Sequence, residues 1–162
     1  MKIKTTFLMP FRRRLEGKTN YRKRLAQIKG GKTRMVVRRT NKGFSIQFVD
    51  YSVDGDRTLC GLHSSVLKSE FGFPAKCNTP TAYLAGLYAG KQARAKGVKQ
   101  AIADINVTAS KGAVVFAAIK GAIDAGIEIP MDENKIVAER LSGSHLKGVK
   151  EAFENAKKKI MA

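Results

Sequence analysis

The stretch RRRLEGKTNYRKRL, Arg12 to Leu25, holds seven arginines and lysines in fourteen residues, with one acid (Glu16) and one aromatic (Tyr21). Arginine and lysine at this density neutralise phosphates and release the counterions condensed on a polyanion. The groups between them add a second kind of contact. Tyr21 offers a face on which an unpaired base stacks, and Thr19 and Asn20 offer hydrogen bonds to a 2′-hydroxyl or base edge. Arg12, Arg13, Arg14, Lys18, Asn20, Tyr21, Arg22, Lys23 and Arg24 are therefore candidate RNA-binding residues, although charge alone does not separate RNA from DNA. Lys32, Arg34, Arg38, Arg39 and Lys42, with the neutral Asn41 in the same turn, are further candidates; the charge continues into this segment, where the competing reading is edge-strand charge that blocks aggregation. His63, Ser64 and Ser65 are small polar groups that suit either a phosphate and sugar contact or an ordinary polar loop.

Other residue types point elsewhere and fit less well. Asp50, Asp104, Asp124 and Glu128 suggest the clustered carboxylates of a two-metal nuclease. The helix that would complete such a cluster, TAYLAGLYAGKQARAK, contains no acid. Cys60-x-x-His63 with Cys77 and His145 supplies zinc-compatible ligands without the usual paired spacing. No GxxxxGK[ST] loop and no GxSxG elbow occurs. The expectation is a non-enzymatic protein without metal or cofactor.

The 162 residues carry a formal charge of +18, and 43% are hydrophobic, enough for a core. Residues 1–42 hold fifteen basic side chains and one acidic one; the remaining 120 hold sixteen and twelve. A cationic arm on a near-ordinary globular chain follows. Two cysteines are too few for a disulfide framework. The run AVVFAAI is about a third of a membrane span, and the basic run lacks a broad apolar face for a membrane surface. A soluble, cytoplasmic, nucleic-acid-binding protein is expected.

These residues need elements to hold them. Residues 1–32 read as an extended basic N-terminal arm with a short helix at Tyr21–Lys29 anchored by Leu25 and Ile28. RMVVRR (Arg34–Arg39), FSIQFVD (from Phe44) and RTLCGLH (Arg57–His63) read as three strands of an antiparallel meander, joined at TNKG and DGD. A helix follows with Thr79 as N-cap before Pro80, its Gly86 and Gly90 allowing close helix–sheet packing. Then come a strand (Ala101–Ile105), a helix from about Gly112 to Gly126, and IEIP as one more short strand. The last helix, HLKGVKEAFENAKKKI, places Leu146, Val149, Phe153, Ala156 and Ile160 on one face. The fold class is α/β: a mixed sheet with an antiparallel three-strand meander plus β-α crossovers, the N-terminal arm and a C-terminal helix. The division expected is 1–32 basic extension, 33–130 α/β RNA-binding core and 131–162 C-terminal helical segment.

PFRRRLEGKTNYRKRL, RMVVRRTNKGFSIQFVD, HSS, NTPTAYLAGLYAG, GVKQAIADIN and FAAIKGAIDAGIEIP occur in unbroken order from about residue 9 to 131. In these segments the chain resembles the archaeal and eukaryotic branch of the large-subunit ribosomal protein L-eighteen family, which binds 5S ribosomal RNA. The resemblance implies a structural role: holding 5S RNA in the central protuberance and bridging it to large-subunit ribosomal RNA. By matching positions, Arg12, Arg13, Arg14, Lys18, Tyr21, Arg22 and Arg24 would enter RNA. Arg38, Arg39, Asn41 and Lys42 would contact 5S RNA, with His63, Ser64 and Ser65 nearby. Lys111 would set a cation and helix-start amides at a phosphate. The implied protein neighbours are a member of the L-five family and, in archaea, a small L-twenty-one-type protein, with no homo-oligomer. The branch has an arginine-glycine-histidine-isoleucine run where this chain has SGSHL (Ser142–Leu146), so no C-terminal contact is carried over.

Overall fold

The computed structural model describes residues 8–105, 112–143, 146 and 148–161. The chain divides into two compact units, Met1–Gly31 and Lys32–Ala162.

In the first unit the expected helix Tyr21–Lys29 (α2) forms, preceded by one turn of helix, α1 (Arg12–Leu15). These parts of the arm are helical rather than extended. Asn20 explains the start of α2, its Oδ1 accepting the Lys23 N–H at 3.1 Å. Leu25, expected as an anchor, remains exposed, as do Leu8, Met9, Phe11 and Leu15.

In the second unit, alternation builds a four-stranded mixed sheet from β1 (Thr33–Arg39), β2 (Phe44–Asp50), β3 (Arg57–His63) and β4 (Ala101–Ile105), in the order β3-β2-β1-β4. The first three are an antiparallel meander; β4 returns parallel to β1. Paired residues share a face. Val37–Ile46–Leu62 and Met35–Phe48–Cys60 form two rows that are buried throughout.

Two helices, α4 (Thr79–Ala95) and α5 (Val114–Asp124), cover that apolar face, α4 against β2 and β3 and α5 against β1. The Asn78 side chain caps α4 by accepting the Thr81 N–H at 3.1 Å, which puts Thr79 and Pro80 inside the first turn and corrects the expected cap by one residue. Gly86 and Gly90 serve helix–helix contact rather than helix–sheet contact. A Cβ on Gly86 would run into the Ala118 carbonyl, and one on Gly121 of α5 into the Tyr83 carbonyl.

A short helix α3 (Val66–Phe71), a 3₁₀ turn (Glu133–Lys135) and a helix α6 (Ala138–Leu141) were not apparent in the sequence. IEIP is not a strand; it makes one parallel bridge, Gln100 to Glu128, with Ile127 and Ile129 buried on either side. The C-terminal helix α7 spans Val149–Met161, starting later than expected because Gly148 has φ +72°, outside helical geometry. It packs on α4 through buried Phe153, Ala156 and Ile160, with the Phe153 ring 5.7 Å from that of Tyr83. The Tyr83 hydroxyl donates to Asp124 Oδ2 at 2.7 Å, and burial followed by that carboxylate pushes the phenol pKa upward.

Gly86→Ala is expected to destabilise the protein by about 2 kcal/mol or more through overpacking of α4 on α5. Denaturant unfolding would show a lower midpoint with an unchanged slope.

Candidate nucleic-acid interface

The face of the sheet opposite the helices is where the alternation sends its polar residues. The pairings Arg38–Ser45 and Ser45–His63 set three side chains in one row across β1, β2 and β3. Behind them lie Val36 and Gln47, again paired and partly or fully exposed. Asp104 on β4 pairs with Val36 and so shares this face. Ser45 is the centre of the row, and Gln47 stands behind it on the same strand face. They were visible in the sequence as the polar half of FSIQFVD but were not chosen as site residues.

Arg38 is the most firmly held cation here. Its Nη1 donates to the carbonyls of Val37 (3.1 Å) and Asp104 (2.8 Å), and its Nη2 to Asp104 Oδ2 (3.1 Å). The side chain is nonetheless 37% exposed. His63 is exposed at the end of its strand, and the Ser65 N–H donates to its Nδ1 at 3.3 Å, with the Ser65 hydroxyl at 2.9 Å from the same atom. A backbone N–H can only donate, so Nδ1 is an acceptor and the ring proton of the neutral imidazole lies on Nε2.

The β1–β2 turn adds exposed Arg39, Asn41 and Lys42. Thr40 closes this turn by main-chain and side-chain bonds to Gly43. Arg39 Nε lies 3.4 Å from Cys77 Sγ, and Cys77 in turn donates to the Thr40 carbonyl. The loop before α4 is thereby tied to the turn, next to exposed Lys76, a cation that the sequence reading passed over.

Two sequence candidates turn inward. Ser64 is 1% exposed; its hydroxyl accepts the Phe44 N–H at 3.0 Å and occupies the space where a side chain on Gly43 would go. Arg34 is 4% exposed and pairs with Asp56 at 2.6 Å, fastening the β2–β3 turn to β1. Neither presents a polar group for a partner. Lys111 lies outside the described residues, and Lys32 is exposed just before β1.

In the N-terminal unit local contacts arrange several of the cations. Glu16 pairs with Arg12 (2.8 Å) and Lys18 (2.7 Å), and those two cations, Lys18 first, hold its carboxyl below the usual range. Arg13 Nε donates to Thr19 Oγ1 at 2.9 Å, and the Phe11 and Tyr21 rings lie 5.2 Å apart. An open cleft forms between Arg14, Gly17, Thr19, Asn20, Tyr21 and Arg22. Lys23 and Arg24 lie on the first turns of α2.

The carboxylates that raised the nuclease reading are spent separately. Asp50 accepts the Thr33 hydroxyl, Asp104 holds Arg38, and Asp124 takes Tyr83 and Lys120. Among the described residues, no three His, Cys, Asp or Glu side chains are grouped to hold a metal ion. Nor is any described helix long and apolar enough to cross a membrane.

Residues 5–109 match the family described as "Ribosomal large subunit proteins 60S L5, and 50S L18". The chain belongs to this family of large-subunit ribosomal proteins. It is 43% identical over 155 residues to large ribosomal subunit protein uL18 of Aeropyrum pernix, covering 93% of this chain and 72% of the relative. It is 42% identical over 158 residues to the uL18 of Methanococcus maripaludis, covering 95% and 81%.

Ser64→Ala would leave the buried Phe44 N–H without its acceptor. It is expected to cost about 1–3 kcal/mol in denaturant unfolding, with affinity for RNA unchanged.

Proposed function

We propose that this uL18-family protein binds 5S ribosomal RNA and anchors it in the central protuberance of the large subunit, bridging it to large-subunit ribosomal RNA. The observation that carries the reading is the Arg38–Ser45–His63 row on the sheet face left open by the helices, continued by Arg39, Asn41 and Lys42 at the turn. A rigid sheet holds these donors at strand spacing, so they fit a fixed arrangement of phosphates and sugars better than a mobile tail would. Ser65, exposed beside His63, and Lys32 lie at the margins of this surface.

The N-terminal unit supplies the second contact through Arg12, Arg13, Arg14, Lys18, Asn20, Tyr21, Arg22, Lys23 and Arg24. Its affinity is mainly electrostatic, with Tyr21 available for base stacking. Lys111 contributes a further phosphate contact. The L-five family protein and the L-twenty-one-type protein are the protein neighbours in this reading.

Deleting residues 1–31 is expected to leave a folded second unit and to lower affinity for 5S RNA. It also flattens a salt dependence that otherwise costs about 10³–10⁵ in affinity between 50 and 200 mM salt. Filter binding across a salt series measures both. Excess duplex DNA should fail to displace 5S RNA; ready displacement would mark a general polyanion binder and overturn the assignment.

A further inference from the structure

Asp104 is an acidic residue on the face that the proposed function turns toward RNA, where simple electrostatics makes it a liability. Its contacts give a different account. The Arg38 guanidinium carries five N–H donors. Nη1 spends both of its hydrogens on the Val37 and Asp104 carbonyls, and Nη2 spends one on the Asp104 carboxylate. The two that remain, Nε–H and the second Nη2–H, have no acceptor among the described residues; because Asp104 engages Nη1 and Nη2 together, they are the pair along the Nε/Nη2 edge of the planar group. That edge is the fork that engages two oxygens of one phosphate, or the paired acceptors of a guanine, in bidentate fashion.

We propose that Asp104 is a positioning residue: with its carboxylate and carbonyl together it clamps Arg38 so that the Nε/Nη2 edge stands ready as a bidentate RNA-binding fork. The inference rests on the RNA-binding reading above and adds the residue that makes one contact specific. The fold makes the clamp possible because β4 runs parallel to β1 and pairs Asp104 with Val36, two residues before Arg38 on the same face. The Asp104 side chain is 15% exposed and the Arg38 side chain 37%, so the guanidinium is the more accessible partner of the pair. A flexible arginine loses rotamer freedom when it binds; one already held by three bonds has lost much of it on folding.

The clamp and the simple electrostatic account predict opposite signs. If Asp104 only repels phosphate, Asp104→Ala tightens RNA binding. If it positions Arg38, the same substitution weakens it. The test measures dissociation constants of full-length variants for a 5S ribosomal RNA transcript at about 0.15 M salt, with thermal unfolding to confirm folding. Asp104→Ala is expected to weaken binding roughly tenfold, the low end for losing a residue that orients a contacting group. Asp104→Asn, which keeps an acceptor and should fold if the alanine variant does not, is expected to fall between. In an Arg38→Ala background, Asp104→Ala should have no weakening effect. Arg38→Lys, which keeps the charge but not the fork, should bind nearly as poorly as Arg38→Ala. Unchanged or tighter binding by both Asp104 variants while Arg38→Ala weakens it would overturn the clamp and leave the RNA reading standing. Full affinity in Arg38→Lys, with Arg38→Ala weakened, would overturn the fork. Unchanged affinity in Arg38→Ala would overturn RNA binding at this face.

Discussion

Successive side chains of a strand leave the sheet on opposite sides, and that geometric rule constrains everything else in the second unit. Val37, Ile46 and Leu62 make one buried row, so their neighbours Arg38, Ser45 and His63 must form a row on the other face. Slipping β1 by one residue would put the Arg38 guanidinium into the core, and slipping β2 would put Ile46 into water. The apolar face recruits α4 and α5, whose glycines let them approach until backbone meets backbone. The polar face is left open because the helices are committed to the other side.

Three acids determine what four of the cations do. Asp56 reaches Arg34 and takes it out of the surface, turning a charge into a fastening for the β2–β3 turn. Removing Asp56 would be costly, since Arg34 would be left charged and buried. Asp104 takes only part of Arg38. Glu16 gathers Arg12 and Lys18, exposed ion pairs that contribute little to stability but bring cations together. In a protein of net charge +18, these three carboxylates arrange positive charge rather than cancel it.

Arg34 and Arg38 show where sequence reading stops. They sit on the same strand, four residues apart, with the same parity, and the sequence treats them alike. One is buried and one is half-open because Asp56 and Asp104 arrive from a turn and from a strand distant in the chain. Ser64 and Ser65 are adjacent serines with opposite fates, since Ser64 lies against Gly43 of a neighbouring hairpin while Ser65 turns to His63. Asn78 displaced Thr79 as the cap because both are good caps, and the chain's extended entry at Asn78 settles between them.

By itself the sequence determined the four strands of the sheet, though not the single bridge at IEIP, together with the two long helices, the polar and apolar halves of FSIQFVD and the concentration of charge before residue 43. All of these follow from local periodicity and composition, which act between near neighbours. Tertiary structure decided which of the cations remain available, which serines are buried, and that Gly86 and Gly90 face a helix rather than the sheet. Those outcomes depend on which distant acceptor or backbone comes within about 3 Å of a donor, a distance that sequence separation does not encode.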